Sequence, residues 1–548
     1  MKKIILLFTL TISLLNTNSC INSDSDAKSN EKKEIKSKSP RKYKGYNNAP
    51  EFAKGLDWIN TKNPITIKSL RGKFVLIDFW TYACINCMHI IPDLKRLEEK
   101  YKNELVVIGV HSAKFKTEKE TDNIRSAVLR YNIEHPVVND KDFKIWGEYG
   151  AQAWPTIVVI NTEGKIIEEY SGEGFYKDLD IKLSEAIQEA KEYNILNTKS
   201  LSFQLEKNKV NHKQLAFPSK IYADEKTDTL FISDSNNNRI IIMDLKNNEI
   251  KDVIGKGSIG REDGSFENSE FNHPQGLYYK DNILYIADTE NHNLREANLK
   301  TRKVTTIAGT GRQASWRPNE GKGLENDLNS PWDIVGVDNK LYIAMAGSHQ
   351  LWTYDINTKQ TKTFAGTGYE NIIDGKRLEA NLAQPSGIST DGNNIYFADS
   401  EVSGIRFAEI KENGNLKTIV GRGLFDFDDK DGIGNEASLQ HPLGIVYKNN
   451  KLYITDTFNH KIKIIDLKTN MVKTLTGTGK RGYKDGSLLE ASFSEPNGLT
   501  IYKDKIYVSD TNNNVIRIID LKKSIVSTLN FLNPEKITKL VEYRKNIK

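Results

Sequence analysis

Two cysteines separated by two residues are the most reactive feature of this 548-residue chain. Cys84 and Cys87 enclose Ile85 and Asn86, and the sequence holds one further cysteine, Cys20. Two intervening residues allow the sulfurs to join in a small disulfide ring, and such a pair can exchange disulfides with other molecules. The spacing therefore indicates thiol–disulfide chemistry.

Two other roles are open to a Cys-x-x-Cys pair. A structural zinc site needs four ligands, and the sequence offers neither a second cysteine pair nor two histidines at zinc-finger spacing. A structural disulfide more often joins distant cysteines that close a long loop. Reversible redox chemistry fits the pair better than either alternative.

The pattern around the cysteines predicts a β-α-β unit that positions them. Residues 74–80 form an apolar run typical of a buried strand, residues 87–101 show helical periodicity, and residues 105–110 predict a parallel strand. Cys84 falls at the helix start, where free amide groups and the positive end of the helix dipole stabilise a thiolate. We expect Cys84 to be the exposed nucleophile and Cys87 to resolve the mixed disulfide.

Later elements complete a compact α/β pattern. Residues 117–131 predict a polar helix, residues 157–160 a strand and residues 177–193 an amphipathic helix. Residues 51–197 as a whole resemble a thioredoxin-like domain. The fold class expected for this part of the chain is therefore α/β.

The thioredoxin resemblance implies roles for individual residues. Asp78, six residues before the first cysteine, matches the buried acid that moves the proton of the resolving cysteine. Pro155 matches the cis-proline that faces the Cys84–Cys87 disulfide and offers backbone to a substrate strand. Trp80 matches the tryptophan beside the active site, and Trp154, which precedes the proline, is a second supporting residue.

A peroxiredoxin-like peroxidase is a weaker alternative. Thr81 stands three residues before Cys84, as in peroxiredoxins. Ile77, however, replaces the proline that those enzymes carry seven residues before the cysteine. Without that proline loop, the sequence gives little support for a peroxide pocket.

From residue 217 onward the sequence repeats itself six times. Prolines that open a turn recur at intervals of 54 to 57 residues, and each is followed by a short apolar strand and then an alternating strand. The prolines are Pro218, Pro274, Pro331, Pro385, Pro442 and Pro496. Four strands per unit at a fixed period indicate propeller blades. The motifs resemble NHL repeats, and six units predict an all-β six-bladed propeller over residues 198–530.

Polar residues also recur in the repeats. Asp-Gly pairs before several blades are most simply turn formers, with cation binding as the alternative. His292, His349 and His460 occupy equivalent turns, which favours a shared structural hydrogen bond over a metal site. Met345 replaces the usual aspartate in the third blade. We expect no metal or cofactor, and we expect the propeller to fold alone as a recognition surface for a protein or another ligand.

The N-terminus predicts a targeting segment. Two lysines precede the apolar run 4–15, which is too short to span a membrane, and Ser19-Cys20 follows it. This arrangement resembles a bacterial lipoprotein signal, although Thr17 stands where such signals carry Leu. The resemblance implies a signal peptide over residues 1–19 and lipidation at Cys20; a plain secretory signal is the alternative.

The positive charge of the chain is concentrated in a predicted tether. The net charge is +6, and residues 28–44 alone hold eight Lys or Arg and two Glu, so that residues 45–548 carry no net charge. Residues 20–50 are polar and predict a disordered tether, and residues 531–548 predict a short tail. A neutral folded part disfavours nucleic-acid binding, which rests on clustered positive charge.

The domain order resembles the family of NHL repeat-containing protein 2, in which a thioredoxin-like domain precedes an NHL propeller. Together with the N-terminal signal, it predicts an exported, lipid-anchored thiol–disulfide oxidoreductase of the cell envelope, facing the periplasm or the exterior. The expected partners are a protein thiol or disulfide substrate and a redox donor. A non-catalytic binding scaffold is the alternative from a different class.

Overall fold

The computed structural model describes residues 40–210, 214–315 and 319–537. The described residues from Tyr43 onward form one compact unit. The predicted signal peptide, Cys20 and most of the predicted tether lie outside the described residues. This unit contains a thioredoxin-like α/β domain followed by a six-bladed β-propeller, as the sequence predicted. Among the described helices, none is long and apolar enough to cross a membrane.

A seven-stranded mixed sheet forms the centre of the thioredoxin-like domain. Its strands are β1 (Asn47–Asn48), β2 (Trp58–Ile59), β3 (Phe74–Trp80), β4 (Leu105–His111), β5 (Val137–Asn139), β6 (Thr156–Ile160) and β7 (Lys165–Ser171). They lie in the order β1-β7-β6-β3-β4-β5-β2. Strands β3, β4 and β5 are parallel, and β6 runs antiparallel to β3. Every residue of β3 is buried, as expected of a central strand covered on both faces.

Four helices pack against this sheet. They are α1 (Ile85–Lys100), α2 (Thr121–Arg130), α3 (Lys144–Tyr149) and α4 (Tyr176–Glu192). Helix α1 begins directly after Cys84, two residues before the predicted start. The helix predicted over 117–131 begins instead as a 3-10 turn, Thr117–Lys119, before α2. Helix α3 was not predicted, because its six residues are too few to show a periodic pattern.

The propeller consists of six antiparallel sheets arranged as blades. Blade 1 contains β8 (Ile221–Asp224), β9 (Thr229–Asp234), β10 (Arg239–Asp244) and β11 (Glu249–Ile254). Blade 2 contains β12 (Gly264–Ser265), β13 (Pro274–Lys280), β14 (Ile283–Asp288), β15 (Asn293–Asn298) and β16 (Lys303–Ala308). Blade 3 contains β17 (Gly321–Lys322), β18 (Pro331–Val337), β19 (Lys340–Met345), β20 (Gln350–Asp355) and β21 (Gln360–Ala365).

The last three blades repeat the five-stranded arrangement. Blade 4 contains β22 (Gly375–Lys376), β23 (Pro385–Thr390), β24 (Asn394–Asp399), β25 (Gly404–Glu409) and β26 (Asn415–Val420). Blade 5 contains β27 (Gly432–Ile433), β28 (Gly444–Lys448), β29 (Lys451–Asp456), β30 (Lys461–Asp466) and β31 (Met471–Thr476). Blade 6 contains β32 (Gly486–Ser487), β33 (Pro496–Tyr502), β34 (Lys505–Asp510), β35 (Val515–Asp520) and β36 (Ile525–Thr528). The first long strand of each blade packs against its counterparts in the neighbouring blades, around the central channel.

Six residues surround the opening of the channel, and each of them precedes the first proline of a blade. We call these six residues the mouth ring. The mouth ring consists of Phe217, His273, Ser330, Gln384, His441 and Glu495, all with positive φ between 47° and 61°. Each N–H of the ring donates to a side chain at the end of a 3-10 turn in the preceding blade. The acceptors are Asn514, Asn238, His292, His349, Ser403 and His460, at 2.7–3.2 Å. The recurrent histidines thus make the shared structural hydrogen bond expected from their spacing.

Residues beyond the last strand close the propeller. The Leu532 N–H donates to the Asn248 carbonyl at 2.8 Å, beside the outer strand of blade 1. Ile537 packs into the apolar core that blades 1 and 6 share. In the other blades the equivalent edge is covered by a two-residue strand that precedes the blade, such as β12 against β16. The segment predicted as a tail from residue 531 therefore begins inside the propeller.

Buried ion pairs fix the outer strands of three blades. In each of these blades a fully buried arginine guanidinium lies between two aspartates. One aspartate ends the second long strand, and the other belongs to the Asp-Gly pair. The groups are Arg295 between Asp288 and Asp263, Arg406 between Asp399 and Asp374, and Arg517 between Asp510 and Asp485, at 2.7–3.0 Å. In these three blades the Asp-Gly carboxylate is therefore the charge partner of an arginine, a role that turn propensity alone did not reveal.

Candidate functional site

The two cysteines differ in burial and environment. Cys84 is the N-cap residue of α1 and is partly exposed, whereas Cys87 is 1% exposed, and both are free thiols. Burial raises the pKa of Cys87 well above its usual range, and the Cys84 sulfur and the Asp78 carboxylate raise it further. This asymmetry suits the roles predicted for Cys84 as the exposed nucleophile and Cys87 as the resolving cysteine.

Asp78 lies in β3, close enough to Cys87 for their charges to interact. The side chain is buried, and its Oδ1 atom has no hydrogen-bond partner among the described residues. Burial raises the pKa of Asp78 to about 7, while the charge of His135 opposes this shift. A carboxyl group with a pKa near 7 can both accept and return a proton at neutral pH.

The remaining predicted site residues surround the cysteines. The Trp154–Pro155 peptide bond is cis, and the Trp154 carbonyl oxygen lies 4.0 Å from the Cys84 sulfur. The Trp154 indole donates to the Ser112 carbonyl at 2.9 Å. Trp80 is buried and belongs to the same apolar cluster as Cys87. The structure therefore brings all six of the predicted catalytic and supporting residues into one region.

Glu118 organises the loop before Cys84, and sequence reasoning missed it. Its buried carboxylate accepts hydrogen bonds from the Thr81 hydroxyl at 2.5 Å, the Ala83 N–H at 3.0 Å and the Phe115 N–H at 2.9 Å. Burial raises its pKa to about 7. The hydrogen of the buried Thr81 hydroxyl therefore already has an acceptor within the protein. No periodic signal marks Glu118 in the sequence.

The propeller mouth contacts the start of α1. Gln384 accepts a hydrogen bond from the Ile85 N–H at 2.8 Å and donates to the Ala83 carbonyl at 2.9 Å. Ser330 Oγ lies 2.7 Å from the His89 Nε2 atom, one turn further along the helix. The mouth of the propeller is thus covered by the redox domain, which corrects the expectation of an independent recognition surface at this face.

Apolar and charged contacts extend the interface between the domains. Phe115 packs against Phe427 and Phe458 of the propeller, with ring centroids 4.9 and 5.5 Å apart. Lys114 forms ion pairs with Glu401 and, at 3.7 Å, with Glu370. The positive charge of Lys114 also interacts with Cys84. Two propeller carboxylates therefore pair with the lysine of the redox domain whose charge interacts with the nucleophile.

A cavity lies between the mouth ring and the redox domain. The space between them measures about 950 Å³, which includes open solvent. All six mouth-ring residues line it, together with Tyr82, Ile85, Met88 and His89 from the loop and helix that carry the cysteines. Tyr82 donates to Glu495 at 3.1 Å, and Arg130 pairs with the same carboxylate at 3.2 Å.

Comparisons with known proteins match both parts of the chain. A thioredoxin-like family model matches residues 72–166, and an NHL repeat model matches residues 271–296. The chain is 42% identical over 523 residues to NHL repeat-containing protein 2 of Homo sapiens, which covers 89% of this chain and 72% of that protein.

Two further relatives cover less of their own length or of this chain. Protein SUPPRESSOR OF QUENCHING 1, chloroplastic, of Arabidopsis thaliana is 46% identical over 492 residues, which are 86% of this chain and 47% of that protein. The chain therefore spans about half the length of the plant protein. Thiol-disulfide oxidoreductase ResA of Bacillus anthracis is 35% identical over 117 residues, which are 21% of this chain and 65% of that protein.

Proposed function

The chain belongs to the family of NHL repeat-containing protein 2, and we propose that it exchanges thiols and disulfides through Cys84 and Cys87. Its redox domain is related to thiol–disulfide oxidoreductases. The observation that carries the proposal is the pairing of a partly exposed cysteine at a helix start with a buried cysteine beside an acid whose pKa is about 7.

The reaction proceeds in two exchanges. The Cys84 thiolate attacks one sulfur of a substrate disulfide, so that a mixed disulfide forms while the substrate S–S bond breaks and the released thiolate takes up a proton. Asp78 then accepts the proton of Cys87, and the Cys87 thiolate attacks the Cys84 sulfur. The Cys84–Cys87 disulfide forms and the second substrate thiolate leaves. The substrate gains two electrons from the cysteine pair, and the reverse steps oxidise a dithiol.

Trapping of mixed disulfides tests this function. In Cys87→Ser the first exchange occurs but the second cannot, so that substrates remain bound to Cys84. We expect Cys87→Ser to accumulate mixed disulfides with the proteins it meets, and the matched control Cys84→Ser, which lacks the nucleophile, to accumulate none. Equal capture by both variants, or capture by neither, would favour a non-catalytic scaffold.

We further propose that the chain is exported and anchored by a lipid on Cys20. The proposal rests on the apolar run 4–15 followed by Ser19-Cys20. We expect the mature chain to partition into detergent, and Cys20→Ala to release it or to block its processing. A mature N-terminus beyond Cys20 would contradict the anchor and leave the thiol chemistry untouched.

A further inference from the structure

Gln384 of the propeller contacts the backbone on both sides of the nucleophile. Its carboxamide oxygen accepts from the Ile85 N–H at 2.8 Å, and its Nε2 atom donates to the Ala83 carbonyl at 2.9 Å. These two residues flank Cys84. The side-chain amide thus pairs with the main chain around one residue, in the way that a neighbouring strand pairs with a peptide.

Gln384 is itself held in place. Its N–H donates to His349 at 3.0 Å, it precedes Pro385, and its positive φ of 61° is a conformation that residues before proline rarely adopt. The Nε2 atom also lies 3.4 Å from Ser400 Oγ, and the side chain is 2% exposed. The carboxamide is therefore fixed by the propeller before it meets the redox loop.

The contact supplies a helix cap that Cys84 cannot supply. A helix start leaves amide groups without partners, and the side chain of the N-cap residue normally accepts one of them. Cys84 is the N-cap residue of α1, and its side chain makes no capping hydrogen bond within the described part of the chain. Its sulfur must stay available for chemistry, and Gln384 instead accepts the N–H of Ile85, the first residue of the helix.

We propose that Gln384 is a positioning residue of the redox site: it caps α1 from the propeller, fixes the orientation of Cys84 and makes the reactivity of that thiol depend on the docked propeller. The inference deepens the proposed function. It concerns the thiol itself, so it can be tested by a reagent that needs no redox partner.

Two substitutions of similar size separate positioning from simple packing. Gln384→Met keeps the volume but removes both hydrogen bonds, so that the Ile85 N–H becomes available to a thiolate at Cys84. Gln384→Glu keeps the acceptor but, when ionised, places a negative charge beside the thiolate and removes the donor to Ala83. Ser330→Ala is the matched control. It removes the mouth-ring hydroxyl that contacts His89, which does not lie beside Cys84.

The measurement is the rate at which iodoacetamide alkylates Cys84. It is made on the reduced full-length chain at pH 8 and followed by peptide mass spectrometry. We expect Gln384→Met to accelerate alkylation about 3- to 10-fold and Gln384→Glu to slow it by about 10-fold, since a nearby like charge shifts a pKa by about one unit. Ser330→Ala should match the unsubstituted chain.

The direction in which each Gln384 variant changes the alkylation rate distinguishes a positioning role from simple packing. Loosening of the interface alone would expose Cys84 and accelerate alkylation in both Gln384 variants. Changes of the same sign, or rates equal to that of Ser330→Ala, would therefore overturn the proposal. If the two Gln384 variants change the alkylation rate in opposite directions but the chain fails to exchange disulfides, the positioning role is supported and the proposed function is rejected.

Discussion

Asp78 of the redox domain and Asp510 of blade 6 are both buried aspartates, yet their surroundings differ completely. Asp510 accepts hydrogen bonds from the Ser494 N–H, the Asn513 amide and the Arg517 guanidinium at 2.7–2.8 Å. The Oδ1 atom of Asp78 accepts none from the described residues, and its pKa is raised to about 7 by burial. Burial also raises the pKa of Asp510, to about 6, but the Arg517 charge and the hydrogen bonds from Asn513 and the Ser494 N–H oppose that shift, whereas no hydrogen bond to Oδ1 opposes it at Asp78.

Blade 3 shows that the buried aspartate–arginine pair is one of two ways to fill the same buried positions of a blade. Met345 stands at the position of the blade aspartate and Trp352 at the position of the buried arginine, and both are buried. The strands β19 and β20 pair in the same register as their counterparts. The two apolar residues have replaced the ion pair together, which is consistent with the high cost of leaving one buried charge alone.

The largest expected effect comes from breaking a blade pair. Arg517→Met leaves Asp510 and Asp485 without their cation, and we expect the free energy of unfolding to fall by about 3–5 kcal/mol. Urea denaturation of the full chain followed by circular dichroism measures the loss. Lys522→Met, which removes an exposed ion pair with Asp504, is the control and should change stability by less than about 1 kcal/mol.

Transferring the two apolar residues of blade 3 to the equivalent positions of blade 6 tests this prediction further. The double variant Asp510→Met with Arg517→Trp should recover at least half of the stability lost in Arg517→Met, because no charge remains buried and unpaired beside the core. A double variant as unstable as the single one would show that the two solutions are not interchangeable.

Asp78→Asn should stabilise the chain at neutral and alkaline pH. The pKa of Asp78 is about 7 in the folded chain and about 3.8 in the unfolded chain, so the unfolded state ionises first and native stability is lost as pH rises from about 4 to 7. Three units correspond to about 4 kcal/mol at most. We expect a gain of about 2–4 kcal/mol at pH 8 and none below pH 4, measured by urea denaturation at both values.

The same substitution should slow the second exchange. Without a proton acceptor beside Cys87, we expect closure of the Cys84–Cys87 disulfide to slow about 100-fold, while formation of the mixed disulfide stays within about 2-fold. Stopped-flow mixing with a small aromatic disulfide separates the two phases. Equal slowing of both phases would assign Asp78 to the integrity of the site rather than to proton transfer.

The smallest effect should come from a single hydrogen bond of a blade aspartate. Thr528→Val removes the hydroxyl that donates to Asp485 at 3.0 Å but keeps the backbone N–H that donates to the same carboxylate at 3.1 Å. We expect a loss of about 1 kcal/mol in the free energy of unfolding. A loss above about 3 kcal/mol would mean that Asp485 depends on this hydroxyl as strongly as on Arg517.

The repeating parts of the fold could be predicted because local pattern determines them. The strand over 74–80 and the strand Thr229–Asp234 coincide with the observed β3 and β9, since each is an apolar run bounded by turn residues. The cysteine pair and Pro155 could be placed because their spacing is local. These features need no knowledge of distant contacts.

The interface could not be predicted, because its contacts join residues about 300 positions apart. Gln384 meets Ala83 and Ile85, and Lys114 meets Glu401, yet no periodicity links these positions in one sequence. Glu118 was missed for a similar reason, since a buried acid that binds backbone amides looks like any solvated glutamate. Burial decides the role of such residues, and composition does not report it.

The closure of the propeller by Leu532 has a consequence for how the chain is made. Among the described residues, blade 1 has no short covering strand like those of the other blades, and its outer edge is paired by a residue synthesised more than 280 positions later. Until Leu532 leaves the ribosome, that edge has open backbone groups that can pair with another chain. The outer edge of blade 1 is therefore open to pairing with another chain throughout the synthesis of the five later blades.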